Sequence, residues 1–180
     1  MVGILLPLVF VGALNSYGPS APPCDATLPS QLDIIDCRLA AAVERSLERS
    51  ATLREVVRRV GALQGRVYIR TVVSVMPGGP RSLLGGLSHD VVTCGPYRLL
   101  HVTVRHGYDD KAVATIGHEL QHAVEVLEHP EAGTQFEVDG LFLRIGEQVA
   151  ARVVETRRAL AVEAMVFREL RRAKRQPGRT

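Results

Sequence analysis

The chain has 180 residues, 46% hydrophobic and 23% charged, a balance that excludes a disordered polypeptide and suits a globular core. With four Phe, four Tyr and no Trp, that core must be built from Leu, Val, Ile and Ala. The net charge of +3 has its excess at the C-terminus, in Arg171, Arg172, Lys174, Arg175 and Arg179, without the aromatic interleaving or motif of a nucleic-acid binder.

Residues 2–14 are apolar apart from Gly3, Pro7 and Gly12, and a small, polar, Pro-rich stretch follows. This run is too short to span a bilayer comfortably but suits the apolar region of a signal peptide, although no Lys or Arg precedes it. Residues 1–23 are therefore expected to be a signal peptide and short leader. Residues 24–172 are expected to form one domain, and 173–180 a basic tail. The expected location is secreted or periplasmic, with a membrane anchor only where the leader stays uncleaved and no stable membrane span once it is removed. In an exported chain Cys24, Cys37 and Cys94 leave one thiol unpaired, and both Cys24–Cys37 and Cys37–Cys94 are open pairings.

Residues 33–49 alternate apolar and charged positions at helical spacing. Thr52 to Glu55 read as a capping box that starts a second helix reaching about Ala62. Residues 66–75 are β-branched and aromatic, predicting a strand, and MPGGP at 76–80 predicts a turn. Residues 86–93 and 98–105 predict two more strands joined as a hairpin through Cys94-Gly95-Pro96-Tyr97. A helix follows over about 111–128, capped by Asp109 or Asp110 and stopped by Pro130. A loop at 130–140, a short helical piece at 141–145 and a long helix over about 146–173 complete the chain. The expected class is α+β, with a small, mostly antiparallel sheet packed on the 111–128 helix and the long C-terminal helix.

One motif carries chemistry. In His118-Glu119-Leu120-Gln121-His122 the histidines stand at i and i+4, one turn apart on one helix face, so both imidazoles can reach one cation. Glu119 lies about 100° round the helix, from where it can reach a water molecule beside that cation without being a ligand. A chance occurrence in a chain this long has roughly one per cent probability, which favours a metal site. Val113, Ile116, Leu120, Ala123, Val124 and Leu127 form an apolar stripe, and Lys111, Thr115, His118, His122 and Glu125 lie opposite, facing a cleft. His129 is seven residues beyond His122, about 10 Å further along the helix, which excludes it as a third ligand. Glu155 is the favoured third ligand because Ala151 and Ala159 flank it at i−4 and i+4, leaving room for a second helix to approach. Glu147, Glu163 and Glu137 are the remaining candidates for that position.

The segment 115–123, with Glu155-Thr156 and Ala159 beyond, resembles the gluzincin branch of the zincin metallopeptidases, and small zincin-like proteins of bacterial origin in particular. The resemblance implies a minimal zincin-like catalytic domain with Zn2+ on His118, His122 and Glu155. It implies Glu119 as general base and acid in peptide-bond hydrolysis, and a peptide or protein as substrate. It also implies that a strand, 86–93 or 98–105, pairs with that peptide along the cleft. Position 159 is Ala where the third-ligand motif commonly carries Asp, so another group must orient His118. Tyr108, His106 and His101, with Tyr97 and Tyr68, are the candidate oxyanion donors. The alternative function is a zinc-containing scaffold that binds a peptide or protein without turnover.

Overall fold

A computed structural model describes residues 28–73, 84–150 and 153–175. The leader, the 76–80 turn, Ala151 and the last residues of the basic tail lie outside these described residues.

The first predicted helix begins later than its periodicity suggests, because Leu32 and Ile34 alternate as strand residues. They form β1 (Leu32–Ile34), with both side chains buried. Asp36 then caps α1 (Cys37–Leu47), its Oδ1 accepting from the Arg38 and Leu39 amides. Ser50, rather than Thr52, caps α2 (Ala51–Ala62) by accepting from Leu53 N–H at 3.0 Å. Glu55 is engaged instead by Arg58. Cys37 is disulfide-bonded and Cys94 is an exposed free thiol, so the Cys37–Cys94 pairing is not the one formed.

β2 (Gly65–Val72) and β5 (Tyr97–Arg105) are the two long strands, and they pair in parallel along their whole length. β1 adds in parallel on the far side of β2. The predicted strand at 86–93 is broken into β3 (Gly85–Leu87) and β4 (Val92–Cys94), which pair antiparallel with opposite ends of β5. After Ser88, which still donates to the His101 carbonyl of β5 at 2.8 Å, His89, Asp90 and Val91 leave the ladder. The class is α+β, and the five-stranded sheet is mixed: parallel on one side of β5, antiparallel on the other.

Val67, Ile69, Leu100, Val102 and Val104 face the helices, while Arg70, His101 and Thr103 alternate with them on the outer face. α3 (Asp110–Leu127) fills the space between sheet and outer helices, and every residue in it except Lys111 is buried. Its C-terminus is held by the buried Arg98 of β5, which donates to the carbonyls of Val126, Leu127 and His129 at 2.6–2.7 Å. Of these, the Leu127 carbonyl has no other donor among the described residues, while those of Val126 and His129 also accept from the His129 and Ala132 amides at 3.1 and 2.9 Å.

The largest departure from expectation lies beyond residue 130. Thr134 and Glu137 form a capping box that starts α4 (Gln135–Ile145), where a loop was expected. Gly146 ends it, and a hairpin of β6 (Glu147–Ala150) and β7 (Val153–Glu155) replaces the first turns of the expected long helix. A Cβ on Gly146 would meet Val154 Cγ1 at 2.6 Å and the Glu155 carbonyl at 2.9 Å, so the sharp entry into this hairpin requires glycine. α5 (Arg157–Arg175) then packs along α3 through Ala159, Val166 and Leu170. Among the described residues no helix is long and apolar enough to cross a membrane.

Candidate metal centre

His118 and His122 project from one face of α3 into a cleft of about 350 Å3. One wall is β3 with Ser88 and His89; the other is β7. Both rings are buried, and their Nε2 atoms lie 3.1 Å apart. Glu155, the last residue of β7, brings Oε2 to 2.8 Å from His118 Nε2 and 3.4 Å from His122 Nε2. The three ligand atoms could hold a metal ion. Ligands about 2.0–2.2 Å from a tetrahedral ion lie roughly 3.3–3.6 Å from one another, so the separations of 2.8, 3.1 and 3.4 Å need only open by a few tenths of an ångström to admit one.

Glu155 thus reaches the histidines by a different route from the expected one. Glu155 does not sit on a helix, because Val153–Glu155 pairs antiparallel with Glu147–Ala150. Thr156 starts α5 instead, its Oγ1 accepting from Ala159 N–H at 3.1 Å. The strand end and this cap fix Glu155 at the junction.

Each histidine has a carboxylate behind it. His122 Nδ1 stands 3.1 Å from Oε2 of the buried Glu125, which also accepts from Thr156 Oγ1 at 2.9 Å and Gln121 Nε2 at 3.2 Å. Glu125 therefore ties the α5 cap to the metal face of α3. His118 Nδ1 lies 3.4 Å from Glu163 Oε2, one turn of α5 beyond Ala159. That distance is an ion-pair contact without hydrogen-bond geometry, and Nδ1 is otherwise the unpartnered buried polar atom of the described residues. Glu163, a lesser candidate for the third ligand, fills the position that Ala159 leaves vacant. Glu147 and Glu137 are engaged elsewhere: Glu147 pairs with Arg157, and Glu137 caps α4. His129 pairs with Glu131, away from the cluster.

The electrostatics follow from this packing. Burial works to lower the pKa of both histidines, but the carboxylates of Glu155, Glu163 and Glu125 outweigh it and raise both. Burial works to raise Glu155, and the two histidines more than reverse it. A bound metal takes the place of these protons. Glu119 has no such partner: burial pushes its carboxyl up to about 7, against the opposing pull of His118 and His122. It packs against β3, where a Cβ on Gly85 would sit 2.6 Å from Glu119 Oε1 and 2.7 Å from Thr115 Cγ2.

The expected oxyanion donors stand elsewhere. Tyr108 donates to Asp36 at 3.0 Å and meets His106 edge-on, both lining a separate side cavity. His101 stacks on Tyr68 on the outer sheet face, and Tyr97 is exposed in the β4–β5 hairpin. The cleft instead contains His89, whose Nδ1 is 2.5 Å from Asp139 Oδ1 on α4. Its ring stacks on Phe142, which in turn meets His122 edge-on. Nothing local in the sequence marks His89; it enters the cleft because the strand breaks at Ser88. Compared with family models, with curated proteins and with solved structures, the chain finds no match in any of the three.

Proposed function

We propose that this chain is a zinc-dependent hydrolase that cleaves peptide bonds. The observation that carries the reading is the cluster of His118, His122 and Glu155 with Glu119 beside it in one cleft. Two imidazoles and one carboxylate are the donor set of catalytic zinc, which keeps a further position open. Zinc, when bound, supplies a Lewis acid that activates water and polarises a carbonyl. His118, His122 and Glu155 would hold it, and Glu125 and Glu163 would orient the two rings.

Glu119 accepts the proton from the attacking water and delivers it to the leaving amine; a carboxyl poised near neutrality suits both transfers. His89, whose Nδ1 is held by Asp139, lines the same cleft and is the proposed donor to the carbonyl oxygen as charge develops there.

A peptide substrate is supported by the edge of β3, which no strand covers among the described residues. Leu84 and Ser88 are bonded to β5, through Arg105 N–H to the Leu84 carbonyl at 2.7 Å and Ser88 N–H to the His101 carbonyl at 2.8 Å. By antiparallel alternation, Gly85 and Leu87 turn their N–H and C=O groups to the open edge, along the cleft. An extended chain can pair there. β5, the other strand considered, is covered on both sides and offers no edge.

The test is Glu119→Gln in the zinc-loaded protein, assayed on a peptide library. The variant should retain zinc and lose cleavage by at least about a hundredfold. A wild type as inert as the variant on a broad library contradicts hydrolysis and leaves a zinc-containing peptide-binding scaffold.

A further inference from the structure

Three residues stand in one row across the sheet. Gly86 of β3 pairs with Thr103 of β5, and Thr103 pairs with Arg70 of β2. Residues opposite one another project to the same side, here the outer face. All three line the cleft that holds the histidines. Because Gly86 carries no side chain, the one side chain in the row between the edge of β3 and Arg70 is Thr103, whose hydroxyl donates to the Gly86 carbonyl at 3.3 Å.

Arg70 differs from its neighbours in having no partner. Arg66 on the same face is held by Asp33 at 2.6 Å, and Arg98 is spent on the end of α3. Arg70 is exposed and makes no hydrogen bond or ion pair among the described residues. The cleft's own carboxylates, Glu119 and Glu155, are buried or half-buried beside the histidines.

We infer that the cleft selects an acidic side chain in its peptide, glutamate above aspartate, and that Arg70 is the residue that reads it. The inference rests on the peptide reading above. A chain added to β3 places the residue opposite Gly86 in the same row. Its Cα then lies three strand spacings, about 14 Å, from that of Arg70. An extended Arg side chain covers about 7 Å and Glu about 4 Å, and the ionic hydrogen bond between them about 2.8 Å. Laid end to end along the sheet these lengths come to about the same distance, so the two side chains meet only when both are fully extended, which favours glutamate over the shorter aspartate. The planar guanidinium can then take the carboxylate through two parallel hydrogen bonds.

The experiment uses zinc-loaded Glu119→Gln protein and fluorescein-labelled, capped decapeptides in which Glu, Asp, Gln and Lys replace each position in turn. Affinity is read by fluorescence anisotropy, and the same peptides are offered to the wild type for cleavage. At one position Glu should bind about tenfold more tightly than Lys, with Asp between them. Adding Arg70→Gln should erase the preference, and Arg70→Glu should reverse it, with zinc content and circular dichroism unchanged. No acidic preference at any position, a preference that survives Arg70→Gln, or no peptide binding at all overturns the inference. Acid-selective binding lost in Arg70→Gln, but with no cleavage by the wild type, supports Arg70 and removes only hydrolysis. Cleavage without acidic preference removes Arg70 alone.

Discussion

Gly85 decides where the Glu119 carboxylate can lie. Any side chain there would meet Glu119 Oε1 at 2.6 Å and Glu119 Cγ at 2.9 Å, closer than real contacts allow. The carboxylate must then shift, while no atom of His118, His122 or Glu155 is among the nearest to that Cβ. On the proposed function, Gly85→Ala should therefore retain zinc binding within about twofold and lower kcat by about tenfold or more, since misplacing a base by an ångström is costly. An unchanged kcat would show that Glu119 is not seated by β3. At this scale the sequence was informative for His118, Glu119 and His122, because i, i+4 spacing is a local property of one helix. Glu125 was visible on the cleft side of that helix, but its partner Thr156 lies 31 residues away and could not be read beside it. Glu163 was visible only as one of several carboxylates, for the same reason.

Among the elements, α3 depends on a distant side chain at its C-terminus. There Arg98 supplies the Leu127 carbonyl and shares those of Val126 and His129 with the amides of His129 and Ala132, inside a buried site. Arg98→Met keeps the packing volume, strands the Leu127 carbonyl and removes a charged donor from the other two, so it should lower unfolding free energy by about 2 kcal/mol in denaturant titrations. A loss below about 0.5 kcal/mol would contradict the capping role. The contact between α2 and α5 depends on Glu169, whose carboxylate accepts from Ser50 Oγ at 2.6 Å, Thr52 Oγ1 at 3.0 Å and Thr52 N–H at 3.1 Å. Burial works to raise its pKa, but these bonds outweigh burial and hold it below the usual 4.5. A carboxylate so depressed contributes stability that is full above its unfolded pKa and declines as pH falls through the folded value. Glu169→Gln should lower Tm at pH 7 and narrow the difference from wild type at pH 3. A constant difference between the two would contradict that linkage. Element boundaries were legible where caps are local, as at Asp109 and Pro130. They were missed where strand and helix signals overlap, as at Leu32–Ile34. The start of the expected last helix shows the same conflict: Gln148 pairs with Val154 and Ala150 with Val153 as a hairpin.

For the molecule as a whole, the metal cluster joins two units that the sequence places far apart. His118 and His122 belong to α3, packed on the sheet, and Glu155 belongs to the junction of β7 and α5. The mixed topology of the sheet was not legible, because parallel pairing of β2 with β5 depends on how the chain crosses over, which no local pattern records. Yet the topology puts β3 at the edge beside α3, and with it Gly85, Leu87 and His89 in one cleft. The account stands or falls on whether that cluster binds metal. The direct measurement is a calorimetric zinc titration of the full chain after chelation, repeated on His118→Ala, His122→Ala and Glu155→Ala. The account predicts one tight zinc per chain, no tight binding in either histidine variant, and affinity lowered by at least about a hundredfold in Glu155→Ala. No tight zinc in the wild type, or the same affinity in all four proteins, would contradict it.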